Sequence, residues 1–228
     1  MILAGCQKCT LIDFPEKVAC IVFTQGCNLR CPFCHNSELW AYRENGPITE
    51  EEFFSFLAGR REKLDGVVVS GGEPTLQPDL ENFLCRIRDQ GFATKLDTNG
   101  LQPAVLAKLL DEKLLDFVAM DLKHTPKNYA VACGVPVPEE LIRQSLGILR
   151  QSAIDYELRT TAVPGIHNLE DLAALGDLVN GAPRFTLQNF SPKSAANPYL
   201  RKTTPFPPEA LESLRPIFES AVKKFTIR

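Results

Sequence analysis

At 228 residues the chain is long enough to bury a sizeable core, and 44% hydrophobic with 23% charged residues is ordinary globular composition. A net charge of -3 gives no general electrostatic reason to expect nucleic acid or an anionic membrane as partner. No run approaches the roughly 18 apolar residues of a membrane span, and MILAGCQKCTLIDFPEK lacks the pattern of a secretory signal, so the expected location is cytoplasmic.

In chain order, the first β-type run is VACIVFT (18–24), which leads into a loop containing Cys27, Cys31 and Cys34. ITEEEFFSFLAGRREKL then opens with a Thr49 and Glu52 capping box, and GVVVS (66–70) runs into GGEPT. PDLENFLCRIRDQG reads as a helix with Pro near its start and Gly91 past its end. FATKLD (92–97) and DFVAMD (116–121) are the next strand-like runs, followed by TNG and KHT. PEELIRQSLGILRQS is helical in spacing, DYELRTTAV (155–163) leads to PGIHN, NLEDLAALGDLVNG is again helical, and RFTLQNF (184–190) ends in SPK. SPKSAANPYLRKTTPFPPE reads as a long surface connection, and Pro216 interrupts the last helix.

Strands alternating with helices predict a parallel sheet with helices packed outside it. Loops rich in functional residue types follow the strands, as at the C-terminal face of a β/α barrel. Six such units are fewer than eight, so the expected fold is an α/β, incomplete (β/α)6 TIM-like barrel with parallel strands. A doubly wound open sheet is the alternative. No linker, repeat or low-complexity stretch divides the chain, so residues 1–228 read as a single domain with the cysteine loop at 26–36.

In a reducing compartment, eight cysteines point to metal or redox chemistry more readily than to disulfides. A structural zinc site needs four closed ligands, whereas three thiolates on one tight loop can hold an iron-sulfur cluster with one iron open. The spacing C-x3-C-x2-C departs from the ferredoxin pattern, and no fourth cysteine with a proline behind it follows. Zinc completed by His35 or a distant cysteine, and a plain electron-transfer cluster, are the competing readings.

CNLRCPFC, with Phe33 before the third cysteine, resembles the signature of the radical S-adenosylmethionine (SAM) enzymes. The resemblance implies a 4Fe-4S cluster held by Cys27, Cys31 and Cys34, SAM on the fourth iron, and reductive cleavage to a 5'-deoxyadenosyl radical. Gly71, Gly72 and Glu73 are similar to the motif that holds the SAM amino group. Asp97 and Asn99 in LDTNG, with Asp121 and Lys123 in MDLK, match the activating-enzyme branch. There, Lys123 would meet the SAM carboxylate, and Asp97 and Asp121 would touch the cofactor or a monovalent cation. A cation beside a carboxylate in a dry cavity is physically sensible. Asp13 and Arg159 resemble residues that grip the substrate polypeptide.

The resemblance covers nearly the whole chain and is nearest to the anaerobic ribonucleoside-triphosphate reductase activating proteins. The implied substrate is a glycine of a partner glycyl radical enzyme, with flavodoxin or ferredoxin as electron donor docking near Trp40, Tyr42 and Arg43. The alternatives are a radical SAM enzyme acting on a small molecule and a non-enzymatic iron-sulfur protein. Too few residues separate Cys34 from GVVVS for an inserted ferredoxin-like module. Cys6 and Cys9 form a CxxC pair whose metal binding is left open, while Cys20 and Cys85 read as small buried residues. Cys9 and Glu16 depart from the aromatic and glycine common at these positions. His35 is expected to order the cysteine loop, and His124 and His167 read as solvated loop residues.

Overall fold

In the computed structural model, which describes residues 1–228, each of the six β-type runs is a strand, and two further strands flank them. They are β1 (Leu3–Thr10), β2 (Ala19–Thr24), β3 (Gly66–Gly71), β4 (Ala93–Thr98), β5 (Phe117–Asp121), β6 (Asp155–Ala162), β7 (Arg184–Asn189) and β8 (Lys224–Ile227). The strands form one eight-stranded sheet in chain order, which ends at β1 and β8 and is therefore open. β2 to β4 pair in parallel, as do β6 to β8. β1 runs antiparallel to β2, with register shifts on either side of Gly5 to Gln7. Val67, Val68 and Val69 are all fully buried, the continuous apolar run expected of a parallel strand covered on both faces.

The helices are α1 (Glu50–Ala58), α2 (Leu80–Asp89), α3 (Pro103–Asp111), α4 (Tyr129–Cys133), α5 (Glu139–Gln151), α6 (Leu169–Ala173), α7 (Leu175–Val179), α8 (Pro208–Glu212) and α9 (Arg215–Ala221). The capping box of α1 is formed as read: the Thr49 hydroxyl accepts from Glu52 N at 3.1 Å, and the Glu52 carboxylate accepts from Thr49 N at 2.8 Å. NLEDLAALGDLVNG is two short helices rather than one, the first capped by Asn168 and Asp171. Pro216 stands in the first turn of α9, where a missing N–H is harmless, so the chain breaks before it into α8 and α9.

The chain forms two compact units: residues 1–28, 38–119 and 144–155 make the first, and 29–37, 120–143 and 156–228 the second. In the first, Phe14, Ala19, Ile21, Val68, Phe117 and Ala119 form a core cluster, and Phe53 stacks on Phe83 at 5.4 Å between α1 and α2. In the second, Phe185 of β7 lies 4.7 Å from Phe218 and 5.9 Å from Phe225. Phe53, Phe83, Phe185 and Phe218, all buried, contribute about 1.5–3 kcal/mol each by area alone, and Phe225 is half-buried.

Candidate functional site

In the first unit, the chain leaving β2 turns at Gly26, whose φ of 93° suits glycine and whose Cα faces the Tyr42 ring. Gly26 N donates to Leu39 O at 2.8 Å and Cys27 N to Trp40 O at 3.2 Å. Gln25, buried, anchors this turn through its side-chain amide to Glu38 O and Ala41 O, and Gln77 donates to Gln25 O at 2.6 Å. Neither glutamine stood out in the sequence, because glutamine is usually a surface residue.

The GGE loop packs directly on this turn. A Cβ on Gly71 would lie 2.3 Å from Thr24 N, and one on Gly72 would lie 2.1 Å from Gly26 O. Gly72 N donates to Thr24 O and Glu73 N to Gly26 O. The two bare Cα atoms thus serve the chain's own backbone, bringing the loop after β3 against the start of the cysteine loop.

Glu73 is 1% exposed and faces only neutral donors. Its Oε1 accepts from Thr75 N (3.1 Å), Thr75 Oγ1 (2.6 Å) and Thr98 Oγ1 (2.7 Å), while Oε2 accepts from Asn99 N alone at 2.7 Å. Burial pushes its carboxyl above the ordinary glutamate range, and these hydrogen bonds only partly oppose it. A carboxylate oxygen accepts about two hydrogen bonds, so Oε1 is saturated and the remaining capacity lies on Oε2. Asn99 also donates to Asn28 Oδ1 at 2.8 Å, tying LDTNG to the residue after Cys27. Asp97 accepts from Ser70 Oγ at 3.1 Å and from Lys95 Nζ at 2.5 Å.

In the second unit, Cys34 N donates to Cys31 O at 2.9 Å, closing a turn over buried Phe33. Two segments hold this turn. Arg30 N donates to Cys133 O beside Gly134, where a Cβ would lie 2.3 Å from Arg30 O. Ala196 N donates to Cys34 O and Asn197 N to Pro32 O. SPKSAANPYL is therefore no simple surface connection: its backbone braces the cysteine turn, and Ala195 is fully buried. His35 orders the same segment through Nε2, 2.8 Å from Ser191 O. The Cys133 thiol, unremarked in the sequence, hydrogen-bonds Cys31. That bond, helped by the Lys123 charge and opposed by burial, lowers the Cys31 thiol to about 7.

Asp121 ends β5 between two cations, accepting from Arg159 Nε at 2.8 Å and Lys123 Nζ at 2.9 Å. Burial alone would raise its carboxyl. Arg159 and then Lys123 overcome this and hold it well below the usual range; burial would lower Lys123 in turn, but the Asp121 charge outweighs it and raises the ammonium. Arg159 is thus an ion-pair partner of Asp121. The Tyr129 hydroxyl accepts from Lys123 N at 3.2 Å, and burial raises the phenol.

His124 and His167 are not solvated loop residues: they are 1% and 4% exposed and stack at 4.6 Å. His167 Nδ1 accepts from Val163 N, so its Nε2 carries the proton and donates to Lys123 O at 2.9 Å. Burial lowers His167 to about 4. Asp13 accepts from the Thr10 hydroxyl in a turn that leaves Leu11 and Ile12 exposed. Cys6 hydrogen-bonds Cys20, which depresses the Cys6 thiol and raises that of Cys20, while Cys9 is exposed.

None of the eight cysteines is in a disulfide, and no three His, Cys, Asp or Glu side chains converge as ligands of a single ion do. A three-thiol loop beside a glycine-rich turn, on an open parallel α/β sheet, is the equipment of a cofactor-dependent iron-sulfur enzyme. Residues 21–220 match the Radical SAM superfamily. Over the full chain the sequence is 32% identical to a protein of Methanocaldococcus jannaschii described as a glycyl-radical enzyme activating enzyme, covering 95% of it. It is 30% identical to the pyruvate formate-lyase-activating enzyme of Staphylococcus epidermidis, covering 90% of this chain and 85% of that one. The chain therefore belongs to the radical SAM superfamily, within the glycyl-radical enzyme activating enzymes, and it is an enzyme of that kind.

Solved structures share the fold. A domain of a pyruvate-formate lyase-activating enzyme from Bacteroides vulgatus superposes with a TM-score of 0.57 at 20% identity, over 72% of this chain and 98% of that one. SuiB of Streptococcus suis, bound to its precursor peptide SuiA, gives 0.67 at 20% identity over 90% of this chain, which spans about half (47%) of SuiB. Membership of the superfamily implies a 4Fe-4S cluster and SAM. The donor set fits: three thiols outside any disulfide, one of them already acidified, and a buried carboxylate with unused acceptor capacity.

Proposed function

We propose that this chain, acting over residues 1–228 as one domain, installs a glycyl radical in a partner enzyme by removing hydrogen from a glycine Cα, with anaerobic ribonucleotide reductase as the partner. The observation that carries the chemistry is the three-cysteine loop without a fourth protein ligand; the protein substrate rests on the full-length likeness to activating enzymes. When bound, the cluster and SAM supply reductive cleavage to a 5'-deoxyadenosyl radical.

The chain's own residues bind and orient. Cys27, Cys31 and Cys34 are the cluster thiolates, and buried Phe33 shields them. Gly71 and Gly72 set the loop that presents Glu73, whose Oε2 would accept from the SAM ammonium. Lys123, held by Asp121 and by the His167-anchored backbone, would meet the SAM carboxylate. Asp97 and Asn99 complete the binding loops. Arg159 and Asp13 would face the partner, Arg159 through its pair with Asp121. The electron donor is a flavodoxin or ferredoxin docking on Trp40, exposed Tyr42 and Arg43. A monovalent cation at Asp97 and Asp121 is the remaining expectation of the resemblance.

The test is anaerobic: reconstitute the cluster, reduce with dithionite, add SAM, and quantify 5'-deoxyadenosine for the protein and for Cys31→Ala. Product from the first and none from the second is expected, followed by a glycine-centred radical signal when the reductase is added. A four-iron cluster that neither binds nor cleaves SAM would overturn the reading.

A further inference from the structure

In the second unit, the loops after β5 and β6 exchange histidines. His124, on the first loop, carries Nε2 3.2 Å from Ile166 O of the second, and His167, on the second, carries Nε2 2.9 Å from Lys123 O of the first. The other nitrogen of each ring is fixed from its own side: Thr125 N donates to His124 Nδ1 at 2.8 Å, and Val163 N to His167 Nδ1 at 3.1 Å. A backbone N–H can only donate, so in both rings Nδ1 accepts and the proton sits on Nε2, pointing across to the opposite loop. The rings stack at 4.6 Å and are 1% and 4% exposed. A further bond, from Asn128 Nδ2 to Asp171 Oδ1 at 3.3 Å, joins the segments that follow.

An apolar pair of similar volume would fill this space without any polar group to satisfy, because a buried hydrogen bond adds little net stability. What the imidazoles add is direction, and the residue they direct is Lys123. Its N donates to the buried Tyr129 hydroxyl at 3.2 Å, its O accepts from His167, and its Nζ reaches Asp121 at 2.9 Å. With both backbone groups held, the side chain leaves the loop in one direction, and it keeps 18% of its surface exposed. An ammonium on a flexible stem binds an anion well only where its base is fixed beforehand.

We propose that His124 and His167 form a reciprocal clasp, two positioning residues that fix the backbone of Lys123 and so set the affinity for the carboxylate that Lys123 meets. The inference rests on the reading that this carboxylate belongs to SAM. Opening the clasp should therefore weaken SAM binding and leave the turnover of bound SAM unaltered.

Two substitutions separate the clasp from the local turn. His167→Asn keeps an acceptor where Nδ1 stood, for Val163 N, but is too short to reach Lys123 O. His167→Gln reaches far enough to donate to that carbonyl. Equilibrium dialysis of SAM with the cluster-loaded whole chain should show affinity about fivefold weaker for His167→Asn, the scale of one hydrogen bond, and within about twofold of the unaltered protein for His167→Gln. In 5'-deoxyadenosine formation, the Asn variant should raise KM for SAM and change kcat less than about twofold. Lys123→Ala should weaken SAM at least about tenfold, and adding His167→Asn to it should cost nothing more, because the clasp acts through that side chain.

A folded His167→Asn that binds SAM normally, a Gln variant as weak as the Asn one, or a loss that adds in full to that of Lys123→Ala overturns the proposal. His124→Asn, which keeps the acceptor for Thr125 N and releases Ile166 O, is carried in parallel should His167→Asn not fold, with the same weakening expected. If Lys123→Ala binds SAM normally, the Lys123 reading fails, and heteronuclear NMR of the histidine side chains still decides the clasp. Protons on Nε2 of both His124 and His167 support it, and a proton on Nδ1 of either overturns it.

Discussion

Glu73 and Asp121 are both carboxylates that follow or end a strand, in motifs we propose to bind the cofactor, and the protein treats them in opposite ways. Four uncharged donors, two hydroxyl contacts and two backbone amides, surround Glu73, and its carboxyl rises above the ordinary range. Asp121 sits between a guanidinium and an ammonium, and its carboxyl falls far below that range. Neutral donors satisfy lone pairs without cancelling net charge, so burial still wins at Glu73. Glu73 is left wanting a cation, which suits an acceptor for a ligand's ammonium. Asp121 already has two, which suits an anchor for the side chains that meet a ligand's carboxylate.

The sharpest break of this contrast is Glu73→Gln. Whichever oxygen the amide NH2 replaces, it sets a donor against a backbone donor, Thr75 N or Asn99 N, which costs about 2 kcal/mol of stability. SAM affinity should fall at least about tenfold, equivalent to about 1.4 kcal/mol. Equilibrium dialysis of SAM and urea unfolding would measure the two effects, and an unchanged affinity would remove Glu73 from the binding role. Asp121→Asn should also cost about 2 kcal/mol, below the figure for fully buried pairs because the Asp121 side chain is 30% exposed.

The pH dependences of the two variants should have opposite signs. Because the Glu73 value is raised, its contribution is complete below the ordinary carboxylate range and declines as pH rises through the raised value. Because the Asp121 value is depressed, its contribution is complete above about pH 4 and is lost as pH falls through the depressed value. The deficit of Glu73→Gln should therefore shrink toward high pH and that of Asp121→Asn toward acid. Slopes of the same sign in urea midpoints would refute the contrast.

A smaller effect comes from His167, neutral behind Lys123. Its folded value of about 4 lies below the ordinary value near 6.5, so the unfolded chain binds the proton first and stability falls on acidification between them. Between pH 6.5 and pH 5 this amounts to about 2 kcal/mol. His167→Gln should flatten that part of the profile, and a profile unchanged by the substitution would place the sensitivity elsewhere. The smallest effect belongs far from either carboxylate: Thr49→Ala removes the cap of α1 and should cost about 1 kcal/mol while leaving SAM binding unaltered.

Much of the sheet was legible because β2, β3 and β5 are short apolar runs, while β4, β6 and β7 set β-branched and aromatic residues among polar ones between turn signals. β1 and β8 escaped because they bury few side chains: LAGCQKCT is mostly exposed or half-buried, and KFTI is four residues long. Pro103 at the first turn of α3 was an available signal that went unread. In the site, the cysteine spacing and GGE were visible as local patterns. The bracing of the cysteine turn by Ala196 and Asn197, and of His35 by Ser191, joins residues some 156 apart in the chain and leaves no periodic trace.

Sequence by itself determined the chemical inventory: three thiols at C-x3-C-x2-C, glycines where backbones touch, and carboxylates and lysines at strand ends. Those features are local, set by residue type and spacing of a few positions. Only the tertiary structure decided their charge states and partners: which carboxylate meets neutral donors, which meets cations, and that Lys95 and the His124–His167 stack lie buried. The reason is physical. A pKa and a pairing depend on desolvation and on charges a few ångströms away in space, and those neighbours come from strands that the sequence keeps far apart.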